Sequence, residues 1–214
     1  MNNSDKIILS LCGGSGSWEK PYKDAGYSVV NVTLPGYDVR TYQPPANVYG
    51  ILAAPPCTHF SFARTNAKVM RDLRGAIKIV SACMNIIWKL QEKPISNTAK
   101  YTRLKFWALE NPYFGLLKNF IGKPCFVFDP WEFGDGYQKK TALWGNFKEP
   151  KKKPGPMTDD MKKLAKTNSY LHKKKFDYLL NDEIHPEQLG VLDGQARRAI
   201  TPPGFAQAFF KANR

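Results

Sequence analysis

A strand-sized apolar run that ends on a cluster of glycines narrows the fold more than any other feature. Lys6-Ile7-Ile8-Leu9-Ser10-Leu11 leads into Cys12-Gly13-Gly14-Ser15-Gly16-Ser17. A helical stretch from Trp18 to Ala25 follows, stops at Gly26, and gives way to the β-branched run Tyr27-Ser28-Val29-Val30-Asn31-Val32. Strand, glycine turn, helix and strand form one βαβ unit, whose crossover sets the two strands parallel. The alternation continues. Val48-Tyr49-Gly50-Ile51-Leu52-Ala53-Ala54 ends abruptly at Pro55-Pro56. From Asp72 to Gln91, Leu73, Ile77, Val80, Met84, Ile87 and Leu90 recur at helical spacing. Phe106-Trp107-Ala108-Leu109 is a further strand, closed by Glu110-Asn111-Pro112. This order predicts an α/β, doubly wound, mostly parallel sheet with helices on both faces.

At 214 residues the chain is one domain's worth, and 43% hydrophobic residues give it a proper core, which excludes disordered and fibrous classes. No apolar run reaches the roughly 18–20 residues of a membrane span, and the polar start Met1-Asn2-Asn3-Ser4-Asp5-Lys6 lacks a signal-peptide pattern. Cys12, Cys57, Cys83 and Cys125 lie far apart without a CxxC pair, and His59, His172 and His185 are scattered. That spacing speaks against a zinc site or a disulfide framework, so the expectation is a reduced cytoplasmic protein without a metal. A net charge of +14 points to a polyanionic partner, nucleic acid first. Half of that excess falls between Lys148 and Lys175, where ten lysines face only Glu149, Asp159 and Asp160. The segment reads as a loop or small insert, and phosphate contact is weighed there against simple solvation.

Ligands of open α/β sheets bind at the carboxyl ends of the strands, and three strand ends here carry unusual residues. In the loop Cys12 to Ser17, glycines let the backbone approach a ligand beside a helix N-terminus; the alternative is a tight structural turn. In Pro55-Pro56-Cys57-Thr58-His59-Phe60-Ser61, two prolines stiffen the chain before a cysteine and fix where its sulfur points. Cys57 reads as a nucleophile or as an inert buried thiol, while Cys12, Cys83 and Cys125 read as structural. Glu110 closes an apolar strand, which is costly for a carboxylate unless it has a partner or a task; capping is the alternative.

In this order the elements resemble the DNA cytosine-5 methyltransferases, above all compact phage-type members. Pro56-Cys57-Thr58-His59-Phe60-Ser61 matches the family's Pro-Cys-x-x-Phe-Ser nucleophile motif, and Glu110-Asn111 its Glu-Asn-Val element, with Pro112 for Val. Gln138-Lys139-Lys140 resembles the Gln-x-Arg-x-Arg element that handles base and backbone. Thr201-Pro202-Pro203-Gly204-Phe205-Ala206 resembles the C-terminal motif whose helix returns to the cofactor pocket. The resemblance implies S-adenosylmethionine as cofactor, held by Cys12, Gly13, Gly14, Gly16, Ser17, Trp18, Asp38 (at the adenine) and Pro55. It implies methyl transfer to carbon 5 of cytosine in DNA, with Cys57 adding to carbon 6 and Glu110 donating to ring nitrogen 3. Pro56, Ser61, Arg64, Asn111, Gln138, Lys139 and Lys140 become the DNA-facing residues, with Ser61 and residues 62–66 in a loop closing over the base. The cytosine is reached by flipping it from a duplex or because it is already single-stranded.

The resulting division is a catalytic and cofactor-binding core over 1–147, a Lys-rich insert over 148–196, and a returning helix over 197–214. Two departures stand out. Thr33 lies where relatives carry a ribose-binding acid, and only the span from Lys148 to Arg197 replaces their target recognition domain. Sequence readout is then expected to be shallow or supplied by a protein partner. A silent DNA-binding or cofactor-sensing module of the same fold, and a sibling acting on RNA cytosine, are the competing readings.

Overall fold

The computed structural model describes residues 3–63, 67–92, 104–135, 137–154 and 194–214. Six strands form one sheet: β1 (Ile7–Leu11), β2 (Ser28–Val32), β3 (Val48–Ala53), β4 (Phe106–Pro112), β5 (Phe126–Phe128) and β6 (Thr141–Asn146). Their order is β2-β1-β3-β4-β6-β5, with β1 to β4 parallel and β6 antiparallel to both β4 and β5. The helices are α1 (Lys20–Asp24), α2 (Leu73–Gln91), α3 (Lys118–Ile121), α4 (Gly194–Ala199) and α5 (Pro203–Ala212). The class is therefore α/β with a mixed, mostly parallel sheet.

The alternation of strand side chains divides the core in two. Leu9, Leu11, Ile51, Ala53 and Leu109 pack on one face against the α2 stripe of Ala76, Val80, Cys83, Ile87 and Leu90. Ile8, Leu52, Phe106 and Ala108 pack on the other against Trp18, Tyr22 and the α5 residues Phe205, Ala206, Phe209 and Phe210. That second face is an aromatic cluster: Trp18 lies 5.4 Å from Phe209, Tyr22 4.9 Å from Phe210, and Phe128 stacks on Phe205 at 3.9 Å. Asp72 caps α2 by accepting from the Gly75 amide at 2.8 Å, satisfying a first-turn donor of the helix.

Two expectations change in detail. The first helix is one short turn, because Trp18 and Glu19 precede it and turn inward to the core. β4 runs on through Pro112, so Glu110 and Asn111 are strand residues paired with Leu143 and Ala142. The sheet is mostly parallel, as expected; β5 and β6 are joined through a 3-10 turn at Pro130–Phe133 instead of a crossover helix, so the chain returns antiparallel there. Of the Lys-rich insert, residues 155–193 lie outside the described residues. Its first part is tied to the core, since Asn213 bonds both the amide and the carbonyl of Lys148.

Candidate functional site

β3 delivers the chain to Cys57 under tight control. The Ala54 amide extends the sheet to the Leu11 carbonyl at 2.9 Å, and Pro55 is buried while Pro56 is exposed. The Pro55 carbonyl accepts from Asn111 Nδ2 at 3.0 Å, joining the end of β3 to the end of β4. The Cys57 carbonyl then accepts from the amides of Phe60 and Ser61, closing a turn. Arg71 Nη1 donates to the carbonyls of His59 and Ser61, and His59 Nδ1 accepts from the Asp72 amide. Ser61 Oγ accepts from the Ala63 amide, so this hydroxyl holds the loop's shape. Arg64 lies outside the described residues.

Four charged or titratable groups share the field around Cys57. Burial raises the Cys57 thiol above its ordinary range and the Glu110 charge raises it further, while Lys139 and Arg198 pull it back. Burial likewise raises the Glu110 carboxyl, with Lys139 opposing. Lys139 is held by its own amide donating to Asp129 Oδ1 and by Nζ donating to the Ile200 carbonyl at 3.3 Å. Arg198, on α4, escapes a motif-based reading; the only signal was the Arg197-Arg198 pair just ahead of Thr201. Asn111 is buried and its Oδ1 has no hydrogen-bond partner. Gln138 and Lys140 are exposed on the approach to β6, Lys140 lying 5.6 Å from the Tyr113 ring centre.

The glycine loop forms a second locus at the end of β1. Cys12 adopts φ 57°, a left-handed conformation that non-glycine residues rarely take and that clusters at functional sites. Its thiol accepts a hydrogen bond from Cys83, which lowers the Cys12 pKa against the opposing effects of burial and Asp38. At Gly13 a Cβ would sit 2.2 Å from Ser10 Oγ, so a side chain there forces Ser10 to move. At Gly14 the space beyond the backbone is open. Ser17 Oγ accepts from the Thr201 amide at 2.8 Å. The Trp18 ring is part of the aromatic core, so what it adds to this loop is backbone position. Asp38 is engaged by Arg40 in an ion pair that lowers its pKa to about 2.

Glu19 is the residue here that motif reading missed. It is 3% exposed, and neither carboxylate oxygen makes a well-formed hydrogen bond. Burial raises its pKa, with its own backbone, the Ser10 hydroxyl and Lys23 pulling the other way. Oε1 lies 3.3 Å from where a Gly16 Cβ would be, so the carboxyl sits directly beneath the loop.

Among the described residues no group of three His, Cys, Asp or Glu side chains is placed to hold a metal, and no helix is long and apolar enough to cross a membrane. An open groove of 460 Å³ between the segment after Asp38 and α2, lined by Arg40, Tyr42, Gln43, Lys78, Asn85 and Lys89 among others, lies apart from Cys57 and Glu110. The chain matches no protein-family model, and no curated protein matches it.

Proposed function

We propose that the chain transfers a methyl group from S-adenosylmethionine to carbon 5 of cytosine in DNA, on a Rossmann-like fold. The observation that carries this reading is the pairing of Cys57 with Glu110. Cys57 follows the end of β3, and Glu110 lies near the end of the neighbouring parallel strand β4. The two segments are joined by the Asn111–Pro55 bond, and the Glu110 charge bears on the partly buried Cys57 thiol. Carbon 5 of cytosine is too weak a nucleophile to take a methyl group unaided, so a covalent route needs this combination of thiol and carboxyl.

The chemistry follows from the two shifts. Burial shifts the Glu110 carboxyl toward its protonated form, the form that donates to ring nitrogen 3. Once Glu110 is neutral, its share of the penalty on the Cys57 thiolate disappears, and Lys139 and Arg198 favour ionisation. The Cys57 sulfur bonds to carbon 6, the carbon 5–carbon 6 pair moves into the ring, and nitrogen 3 takes the Glu110 proton. S-adenosylmethionine, when bound, would supply the electrophilic methyl group, carbon 5 taking it while the sulfonium–methyl bond breaks and the neutral thioether leaves. Loss of the carbon 5 proton to water then expels the Cys57 thiolate, and nitrogen 3 returns its proton to Glu110.

The glycine loop fits a cationic cofactor. Gly14 opens the loop to a ligand, and the buried Glu19 carboxyl beside Gly16 offers an acidic group in a chain where Thr33 supplies none. Basic residues around the site, Lys139, Lys140 and Arg198, suit a phosphate backbone. Lys152 is otherwise occupied, since it pairs with Glu132 at 2.8 Å.

The test is transfer of labelled methyl groups to DNA by the purified chain and by Cys57→Ala. An oligonucleotide carrying 5-fluorocytosine adds a second readout, because its carbon 5 cannot shed a proton and the adduct persists on a denaturing gel. Transfer that survives Cys57→Ala, or none by the wild-type chain on any cytosine-containing DNA, rejects the proposal.

A further inference from the structure

We infer that the surface beside Cys57 is a stacking platform for unpaired bases, so that the strand offered to the site is single-stranded DNA. The identity of the substrate as DNA rests on the methyl-transfer reading; the platform itself rests on the following geometry.

Ser61 and Gly115 form an isolated antiparallel bridge, which puts Phe62 opposite Phe114 in the next register. The Phe62 amide donates to the Phe114 carbonyl at 3.2 Å, locking the pair side by side. Both rings are turned outward, Phe62 51% and Phe114 59% exposed. Large aromatic side chains left in water on a rigid, bonded backbone are costly and point to a partner. Two cations flank the pair on the Tyr113 side. Tyr113 sits edge-on to Phe114 at 5.2 Å between centroids, and the ammonium groups of Lys118 and Lys140 lie 5.0 and 5.6 Å from the Tyr113 ring centre. The Tyr113 amide donates to the Lys140 carbonyl, so this basic flank is fixed by backbone as well.

The platform adjoins both halves of the proposed site. Phe62 follows the turn whose Ser61 amide is bonded to the Cys57 carbonyl, and Phe114 follows Glu110-Asn111-Pro112. A wholly apolar partner would leave Lys118 and Lys140 stranded. Single-stranded DNA satisfies both features, because bases stack on the rings while phosphates meet the cations. A closed duplex presents phosphates but no free base faces, and so uses only half of this surface.

The probe is labelled oligothymidine, compared by fluorescence anisotropy with the same strand annealed to oligoadenosine and with oligouridine, all on the full chain. The assay contains neither cytosine nor cofactor, so its result stands or falls independently of methyl transfer. Oligothymidine is expected to bind at least ten-fold tighter than the duplex, with the advantage lost in Phe62→Ala/Phe114→Ala and duplex binding retained. Lys118→Ala/Lys140→Ala is expected to weaken all three and to flatten their salt dependence. Phe114→Trp guards against misfolding of the alanine variant, since its added indole emission should be quenched by oligothymidine and not by the duplex. Equal affinity for duplex and single strand, wild-type affinity in the double alanine variant with native circular dichroism, or preference for oligouridine each overturns the inference.

Discussion

The Thr201 amide donates to the Ser17 hydroxyl at 2.8 Å, fastening the glycine loop to a segment 184 residues further along the chain. Removing the acceptor leaves a half-buried amide without its partner, which costs about 1 kcal/mol. Ser17→Ala should therefore lower the melting temperature by roughly 2–4 °C. It should also weaken S-adenosylmethionine binding in calorimetry, while Ser17→Thr restores both. A variant with unchanged melting and unchanged cofactor affinity would show that this tie is incidental.

Asn111 makes the equivalent tie between β3 and β4, through the Pro55 carbonyl. It is buried, so Asn111→Ala loses a bond and packing together, and a drop of about 1–3 kcal/mol is expected in urea unfolding. Methyl transfer should fall more steeply than stability, because the turn bearing Cys57 is aimed by this contact. Equal losses in folded fraction and in rate per folded molecule would make Asn111 structural alone.

Two of the raised carboxyls, Glu19 and Glu110, give the pH dependence of stability a definite sign. Glu19 and Glu110 both bind protons more tightly folded than unfolded, from an ordinary value of 4.5. Their favourable contribution is complete below that value and is lost as pH rises through the folded pKa. Stability should thus decline from mildly acid toward neutral pH more in the wild type than in Glu19→Gln/Glu110→Gln, as followed by denaturant midpoints across pH. Parallel midpoint curves for the two proteins would contradict the raised values. The Glu110→Gln change alone should also slow methyl transfer by about 10²–10⁴-fold.

Much of this was legible beforehand, for identifiable reasons. β1, β2 and β3 are short apolar runs bounded by glycine or proline, and α2 repeats its stripe over five turns, so local pattern sufficed. Cys57 and Glu110 were visible because polar chemistry on an apolar strand end stands out in one dimension. The antiparallel β6 was not, since a strand buried on both faces carries no mark of its direction. Glu19 and Arg198 were hidden for a different reason. Each looks like an ordinary surface residue of a charged helix end, and only contacts across the chain bury the first or bring the second to Cys57.

Lys139 offers a test of the field around the thiol. Its charge opposes the burial that raises Cys57, so Lys139→Ala should shift the alkylation of Cys57 by iodoacetamide to higher pH, read by peptide mass spectrometry. Lys139→Arg should hold the profile near the wild type. An unshifted profile in the alanine variant would place Lys139 outside the thiol's influence.

Adjacent glycines in the loop should fail differently. Gly13→Ala drives a methyl group into Ser10 and Asn31, and overpacking of that kind costs about 1–3 kcal/mol. Gly14→Ala meets open space and bears only the strain of φ +55°, so it should melt closer to the wild type. Comparable melting of the two variants would count against the tight seat beneath Gly13.

The aromatic face shared by Trp18, Tyr22 and the α5 rings bears on how the protein is made. Trp18 and Tyr22 leave the ribosome long before Phe205, Phe209 and Phe210, which cover them. Until those rings emerge, one side of the nascent sheet stays uncovered, and the glycine loop stands without its Thr201 anchor. The loop and this face of the sheet therefore reach their final form together, late in the order of synthesis.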